Sequence, residues 1–276
     1  FLSKAATCKG ISGLEKKGGN RMTVINDTIR IQLAHRTIRE FTEEPVPKEI
    51  FNTLIHVAQR TATSNGMQTY SIIRVTDPEK KKAISEVGRQ EYIARAPELL
   101  IFVVDQYRNA KITEEKGVDT IYSKDMDKFF QGFTDSALAA QNMVVAIESL
   151  GLGANYLGSI LNDAERIIEI LDLPQLTFPV VGVSFGYPNQ EPQLKPRMDM
   201  SMRVFENTYQ THDSYVEELK EYDEEMQTYY DLRNANRRVD SFTDQVAAKM
   251  ASAIDKRHLL ANVIRKQGFK LMLEEE

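Results

Sequence analysis

Apolar residues recur at helical spacing over residues 24–34 (VINDTIRIQLA), with Asp27 and Thr28 as first-turn or capping residues. A break follows at 42–47 (TEEPVP), because two prolines two apart do not fit inside a helix. Residues 48–60 resume as an amphipathic helix carrying Ile50, Leu54, Ile55, Val57 and Ala58. A polar loop (61–68), a strand (71–76) stopped by Asp77-Pro78, and a charged helix (79–89) come next. The unbroken apolar run 98–105 (ELLIFVVD) predicts a strand buried on both faces.

Residues 135–150 predict a helix apolar almost all round, hence central, ended by Gly151 and Gly153. A strand over 153–158, a helix from Asp163 to Leu171 and a second buried strand over 178–188 follow. Beyond Pro188 the pattern changes: 190–209 has no sustained period, 213–231 predicts an acidic helix and 239–266 a final amphipathic helix. Strands alternating with helices in the middle, and helices at each end, predict an α+β or α/β domain. With no internal repeat and no clean linker, one domain with excursions is expected rather than two.

Composition narrows this picture. One cysteine, Cys8, excludes a disulfide scaffold, and no run of about 18 apolar residues offers a membrane span. The net charge of −5 is uneven: residues 1–21 carry +4, leaving −9 for the rest. So acidic a body argues against nucleic-acid binding through its overall field. Residues 1–21 begin with Phe1, hold four glycines among basic residues and sustain no period, so they are read as an appended segment or flexible arm. Residues 22–276 then form the single folded domain, with no cysteine of its own, which suits the reducing cytoplasm.

Several short clusters carry candidate chemistry. In His35-Arg36-x-x-Arg39 a helical turn would bring positions 35 and 39 to one face, a good clamp for a dianion, or else a solvated basic turn. Leu194-Lys195-Pro196-Arg197 offers two cations held extended around a proline, or a solvated loop. Thr63-Ser64-Asn65-Gly66-Met67-Gln68 supplies hydroxyls, amides and open backbone suited to a flat heterocycle edge or a ribityl chain, or is an ordinary turn. Arg233, Arg237 and Arg238 cluster just after a helix and could grip a phosphate. Gly151-Leu-Gly153-Ala-Asn-Tyr-Leu-Gly158 is not a dinucleotide fingerprint, since its spacing is wrong and it follows a helix. The four histidines lack metal-ligand spacing.

HRTIREF (35–41), the Ser/Asn loop ending in Gln68, SIIRVTD (71–77), APELLIFVVD (96–105), AAQNMVVAIESLGLGANYLG (139–158), LKPR (194–197) and YYDLRNANRRVDSF (229–242) occur in an order that resembles the flavin-dependent nitroreductase family. The likeness is to its NADPH-preferring, oxygen-insensitive nitroreductase and flavin reductase branch, over residues from about 24 to 268. The resemblance implies a three-layer α+β fold, its central, mostly antiparallel sheet flanked by helices, in an interlocked homodimer with FMN at the interface. It implies ping-pong transfer from NADPH through FMN to a small-molecule electron acceptor: a nitroaromatic, a quinone or free flavin. No residue of the chain is then catalytic in its own right, since the flavin carries the hydride. By the same resemblance His35, Arg36, Arg39, Lys195 and Arg197 hold the FMN phosphate and flavin, Lys195 or Arg197 also stabilising the reduced cofactor's charge. Thr63, Ser64, Asn65 and Gln90 match flavin or ribityl contacts, Tyr156, Leu157 and Gly158 line the ring, and Arg233 and Arg238 match the NADPH 2′-phosphate site.

Two departures stand out. Ser159 and Leu161 occupy positions where this branch commonly has Gly and Arg, and 106–134 matches poorly enough to suggest a lid over the flavin. A flavin-binding sensor or storage protein without turnover is the competing reading, disfavoured by the nucleotide handle at Arg233 and Arg238. A nucleic-acid binder using residues 1–21 is disfavoured by the acidic body.

Overall fold

The computed structural model describes residues 25–229, 240–252 and 255–270. The chain forms two compact units, one comprising residues up to Gln190 together with those from Ile254 onward, the other Glu191–Ala253.

In the first unit, α1 (Asp27–Leu33) is capped by Asn26, whose side chain accepts from the Ile29 amide, so the cap sits one residue ahead of Asp27. After the proline break come α2 (Lys48–Gln59), β1 (Tyr70–Arg74), α3 (Pro78–Gly88), α4 (Tyr92–Arg95) and β2 (Glu98–Asp105). They are followed by α5 (Tyr107–Glu115), α6 (Met126–Ser149), β3 (Gly153–Leu157), α7 (Ala164–Ile170) and β4 (Thr177–Gly186). The four strands are antiparallel in the order β1-β2-β4-β3. β2 is buried along its whole length. Its Leu99, Ile101 and Val103 pack into one core and Leu100 and Phe102 into the other. A register shift against β4 between Phe102 and Val103 then lets Val103 and Val104 serve the same core.

The sheet is therefore the middle of three layers. One face meets α2 through Phe51, Leu54 and Ala58, and α6 through Ala139, Ala140, Met143, Val144 and Ile147. The other meets Ile84 of α3, Ile93 of α4 and Ile167 of α7.

Helix α6 begins at Met126, nine residues before the predicted start, because Asp125 caps it through the Asp127 amide. Thus the second part of the 106–134 stretch is the first part of a core helix. Phe129 is buried against Phe178 and Phe269, with ring centroids 5.4 and 5.1 Å away. Helix α6 is not apolar all round: the polar Gln141 and Asn142 are exposed.

The second unit contains α8 (Tyr215–Glu218), α9 (Lys220–Thr228) and α10 (Phe242–Met250). The predicted acidic helix is split at Leu219, a buried residue with φ −97° and ψ 5°. Thr243 at the start of α10 donates from its amide to Asp223 Oδ1 at 3.0 Å, and Tyr222 packs against Phe242 at 5.3 Å. The predicted single helix over 239–266 is likewise replaced by α10, a 3-10 turn at Asp255–Leu259 and α11 (Leu260–Lys266). α10 belongs to the second unit and α11 to the first, where it buries Val263, so one sequence period spans two separate packing tasks.

Ahead of α2, residues 35–42 run alongside the sheet without joining a strand. Thr37 bridges Ala154 in parallel, Phe41 bridges Pro188, and the Ile38 amide donates to the Ala154 carbonyl at 2.9 Å. The close approach requires glycine at 153, where a Cβ would lie 2.6 Å from Ile38 Cγ1. We expect Gly153→Ala to cost about 1–3 kcal/mol by overpacking. That lowers Tm by roughly 2–4 °C per kcal/mol in a domain of this size, and a thermal melt showing no loss would contradict this packing account.

Candidate functional site

The basic segment 35–39 is fixed from three directions. Gln190 Oε1 accepts from the amides of Arg39 and Glu40 at 2.9 and 2.8 Å, the Ile38 amide is held by β3, and His35 Nδ1 meets Glu148 Oε1 of α6 at 2.5 Å. The segment lies beyond α1, so the predicted single-turn relation between 35 and 39 is replaced by an extended strip stapled to the sheet.

Arg36 is the informative member. Its NH1 donates to the Ala34 carbonyl at 3.0 Å, while its buried Nε has no partner among the described residues. Other arginines of this unit pair with carboxylates: Arg74 with Glu98, Arg95 with Glu40 and Arg166 with Glu169. Arg36 is thus held by a backbone carbonyl, which fixes its position without neutralising its charge. In the second unit Arg197 follows the same rule, its NH1 donating to the carbonyls of Lys195 and Pro196 at 3.3 and 3.2 Å. Lys195 and Arg197 are exposed on an extended stretch, and the Tyr222 hydroxyl donates to Pro196 O at 3.3 Å. Burial raises the Tyr222 hydroxyl's pKa, and the Arg197 cation works against that rise.

The remaining candidates fall into two groups. At the end of β3, Tyr156 donates its hydroxyl to Gln141 Oε1 of α6 at 2.9 Å. Burial first, and then the Glu148 charge, push that hydroxyl well above the usual phenol range, so it stays a protonated donor. Leu157 is buried, and Gly158 opens a 3-10 turn running to Asp163. A Cβ on Gly158 would meet no heavy atom within 4 Å, so space is open beside it. Ser159 donates to Gln90 Oε1 at 2.7 Å, which brings Gln90 to this strand end, and Arg257 NH1 reaches the Gly158 carbonyl at 2.8 Å. Leu161 is buried in the core.

The second group is the loop at Thr63, Ser64 and Asn65. Ser64 begins a 3-10 turn, Asn65 is exposed with φ +52°, and Thr63 Oγ1 accepts from the Gln68 amide at 3.3 Å. The Ser64 amide donates to Asp135 Oδ1 of α6 at 2.9 Å.

Sequence reasoning missed Asp135, Gln141, Glu148 and Arg257. The first three were legible only as polar interruptions in an otherwise apolar helix, two of them seven residues apart and so on one face. Arg233 and Arg238 lie outside the described residues, as do residues 1–21. Among the described residues no helix is long and apolar enough to cross a membrane.

A three-layer α+β unit, with a basic strip stapled to its sheet edge and open space at the end of the neighbouring strand, suits a phosphorylated planar ligand. The chain belongs to the nitroreductase family: residues 33–187 match the model of the nitroreductase family and residues 195–272 that of the nitroreductase family C-terminal domain. It is 36% identical to the NADPH-flavin oxidoreductase of Vibrio harveyi, over 82% of this chain and 92% of that protein. To the FMN reductase (NADPH) of Bacillus subtilis it is 35% identical, over 89% and 99%. Among solved structures, nitroreductase A from Vibrio parahaemolyticus superposes with a TM-score of 0.80 at 33% identity, covering 89% of this chain and 99% of that one.

The orphaned Nε of Arg36 gives a direct test. Leaving a buried donor unsatisfied costs about 1–3 kcal/mol, so Arg36→Met should raise the stability of the ligand-free protein by an amount of that order. Chemical denaturation reads this; a destabilised variant would mean the arginine is satisfied within the fold.

Proposed function

We propose that this chain is an FMN-dependent oxidoreductase that passes electrons from NADPH to small acceptors: nitroaromatics, quinones or free flavin. The observation that carries the reading is Arg36, a positioned and uncompensated guanidinium on a strip pinned to β3. The relatives named above support the choice of flavin and nicotinamide.

The residues present fit FMN. Arg36 has a buried donor in need of an acceptor, Gly158 leaves space that a side chain would fill, and the polar loop at 63–65 offers hydroxyl and amide groups. When bound, FMN supplies the two-electron carrier that no side chain provides. Arg36, Arg39, Lys195 and Arg197 bind its phosphate and flavin, since guanidinium forks match phosphate oxygens. Lys195 or Arg197 also balances negative charge on the reduced ring. His35, oriented by Glu148, adds a further contact to this group. Thr63, Ser64, Asn65 and Gln90 orient the ring and ribityl chain, while Tyr156, Leu157 and Gly158 exclude water from one ring edge. Arg233 and Arg238 hold the 2′-phosphate of NADPH. Residues 22–276 act as one FMN-binding domain.

We further propose an interlocked homodimer in the cytoplasm, where NADPH is supplied. The exposed side of α6 supports the dimer, with Phe130 60% and Leu138 48% exposed and eight residues apart on one face. So does the spacing of the site groups. Their anchors Asp135 and Glu148 are 13 residues apart, about 20 Å along the helix, which favours a flavin served by two copies.

The purified protein should be yellow, with FMN close to equimolar with the chain. Anaerobic NADPH should bleach it, and a nitroaromatic or quinone should restore the colour; a flavin that never reoxidises would make this a binding protein without turnover. Replacing Arg233 or Arg238 with Ala should raise KM for NADPH about 10–100-fold, the worth of a charge-assisted phosphate bond, and change that for NADH little. Equal losses with both nucleotides would remove the 2′-phosphate role.

A further inference from the structure

We infer that Asp135 is a positioning residue: its buried carboxylate, on the central helix, holds the Thr63–Asn65 loop in the shape that meets the flavin. This rests on the proposed flavin role of that loop.

Asp135 is 1% exposed, and each of its oxygens is used. Oδ1 accepts from the Ser64 amide at 2.9 Å. Oδ2 accepts from the Thr69 hydroxyl at 2.6 Å and from the Thr69 amide at 3.3 Å. One carboxylate therefore closes both ends of the turn. An ionised carboxylate suits this task because it only accepts, whereas an amide would present a donor to one of the two donor groups. The helix can come close enough because Gly132, one turn earlier, leaves room: a Cβ there would sit 2.8 Å from the Thr69 carbonyl oxygen.

The turn needs such a clamp. Asn65 and Gln68 both lie in the left-handed region, at φ +52° and +51°. Non-glycine residues there cost of order 1 kcal/mol or more and persist only where their surroundings over-determine them. The outer side is held by α5, where Arg108 donates to the Gln68 carbonyl and Asn109 Nδ2 to the Met67 carbonyl at 3.1 Å. The 106–134 stretch that reads as a lid thus includes part of the loop's scaffold.

The test is flavin affinity of the apoprotein, titrated by fluorescence with FMN and with riboflavin. If Asp135 shapes the ring and ribityl contacts, Asp135→Asn weakens both ligands by about the same factor, tenfold or more, in protein that circular dichroism shows to be folded. Arg36→Met, by contrast, weakens FMN and spares riboflavin. Thr69→Val removes one of the three hydrogen bonds and should lose affinity for both ligands by a smaller factor; it decides the matter if Asp135→Asn does not fold. Unchanged affinity in the folded variant, or a loss confined to FMN, overturns the inference. Failure of the unmodified protein to bind either flavin would instead overturn the proposed function.

Discussion

Helix α6 works as a mast from which the parts of the site are hung. Four of its polar side chains, Asp135, Gln141, Asn142 and Glu148, each tie down a different segment. Asp135 holds both ends of the 64–69 turn, and Asn142 donates to the Val57 carbonyl and Thr61 Oγ1 at the end of α2. Gln141 accepts from Tyr156 and Glu148 meets His35. Residues 135 and 142 share one stripe, 141 and 148 the next, because seven residues return nearly to the same face. The apolar positions between them, Ala139, Ala140, Met143, Val144 and Ile147, bury against the sheet and make the mast rigid. The alanines and methionine matter as much as the branched residues, since they let α6 lie close to β2 and β4.

The sheet supplies the second constraint. β2 is sandwiched between two cores, so its register is fixed by both faces, and β4 inherits that register strand by strand out to β3. The outer edge of β3 is where the basic strip docks, and the Gly153–Ile38 contact sets how closely. Position along the strip is therefore decided by the buried sheet rather than by the charges themselves. That is a sensible order of causes: a cation on a surface loop loses side-chain entropy on ordering, whereas here the backbone is already pinned.

Much of the fold was legible because its signals were local. The TEEPVP break, the Asp77-Pro78 stop and the ELLIFVVD run each produced the expected element nearly to the residue. The misses had a common origin in tertiary packing. The early start of α6 depends on Phe129 meeting Phe178 and Phe269, which are distant in sequence. The splitting of 239–266 depends on two units dividing one periodic stretch. For the site, residue types were legible and roles were not. His35 looks like an anion ligand in sequence but spends Nδ1 on Glu148, and Asp135 looks like a polar blemish in a core helix but anchors a loop. Spacing along a chain reports which residues share a face; it does not report which backbone groups lie opposite them.

The charge pattern gives the last step. A body of net charge −9 offers carboxylates to almost any exposed arginine, and several arginines here take them. Arg36 and Arg197 instead rest on backbone carbonyls close to them in sequence, Ala34 for the first and Lys195 and Pro196 for the second. A carbonyl dipole orients a guanidinium but carries no net charge to cancel it, so the field of each cation remains available to an incoming anion. Such an arrangement contributes little to folding, and the unsatisfied Nε of Arg36 costs stability outright. Arg36, kept in so unfavourable a state on a strip that the fold holds with at least four backbone and side-chain hydrogen bonds, is the group that a phosphate would satisfy under the proposed function. The same logic applies to the loop held by Asp135 near the middle of α6, where left-handed backbone is kept in place by a buried carboxylate. At both places stability is traded for a shape that is set in advance, which would lower the ordering cost of the binding proposed above.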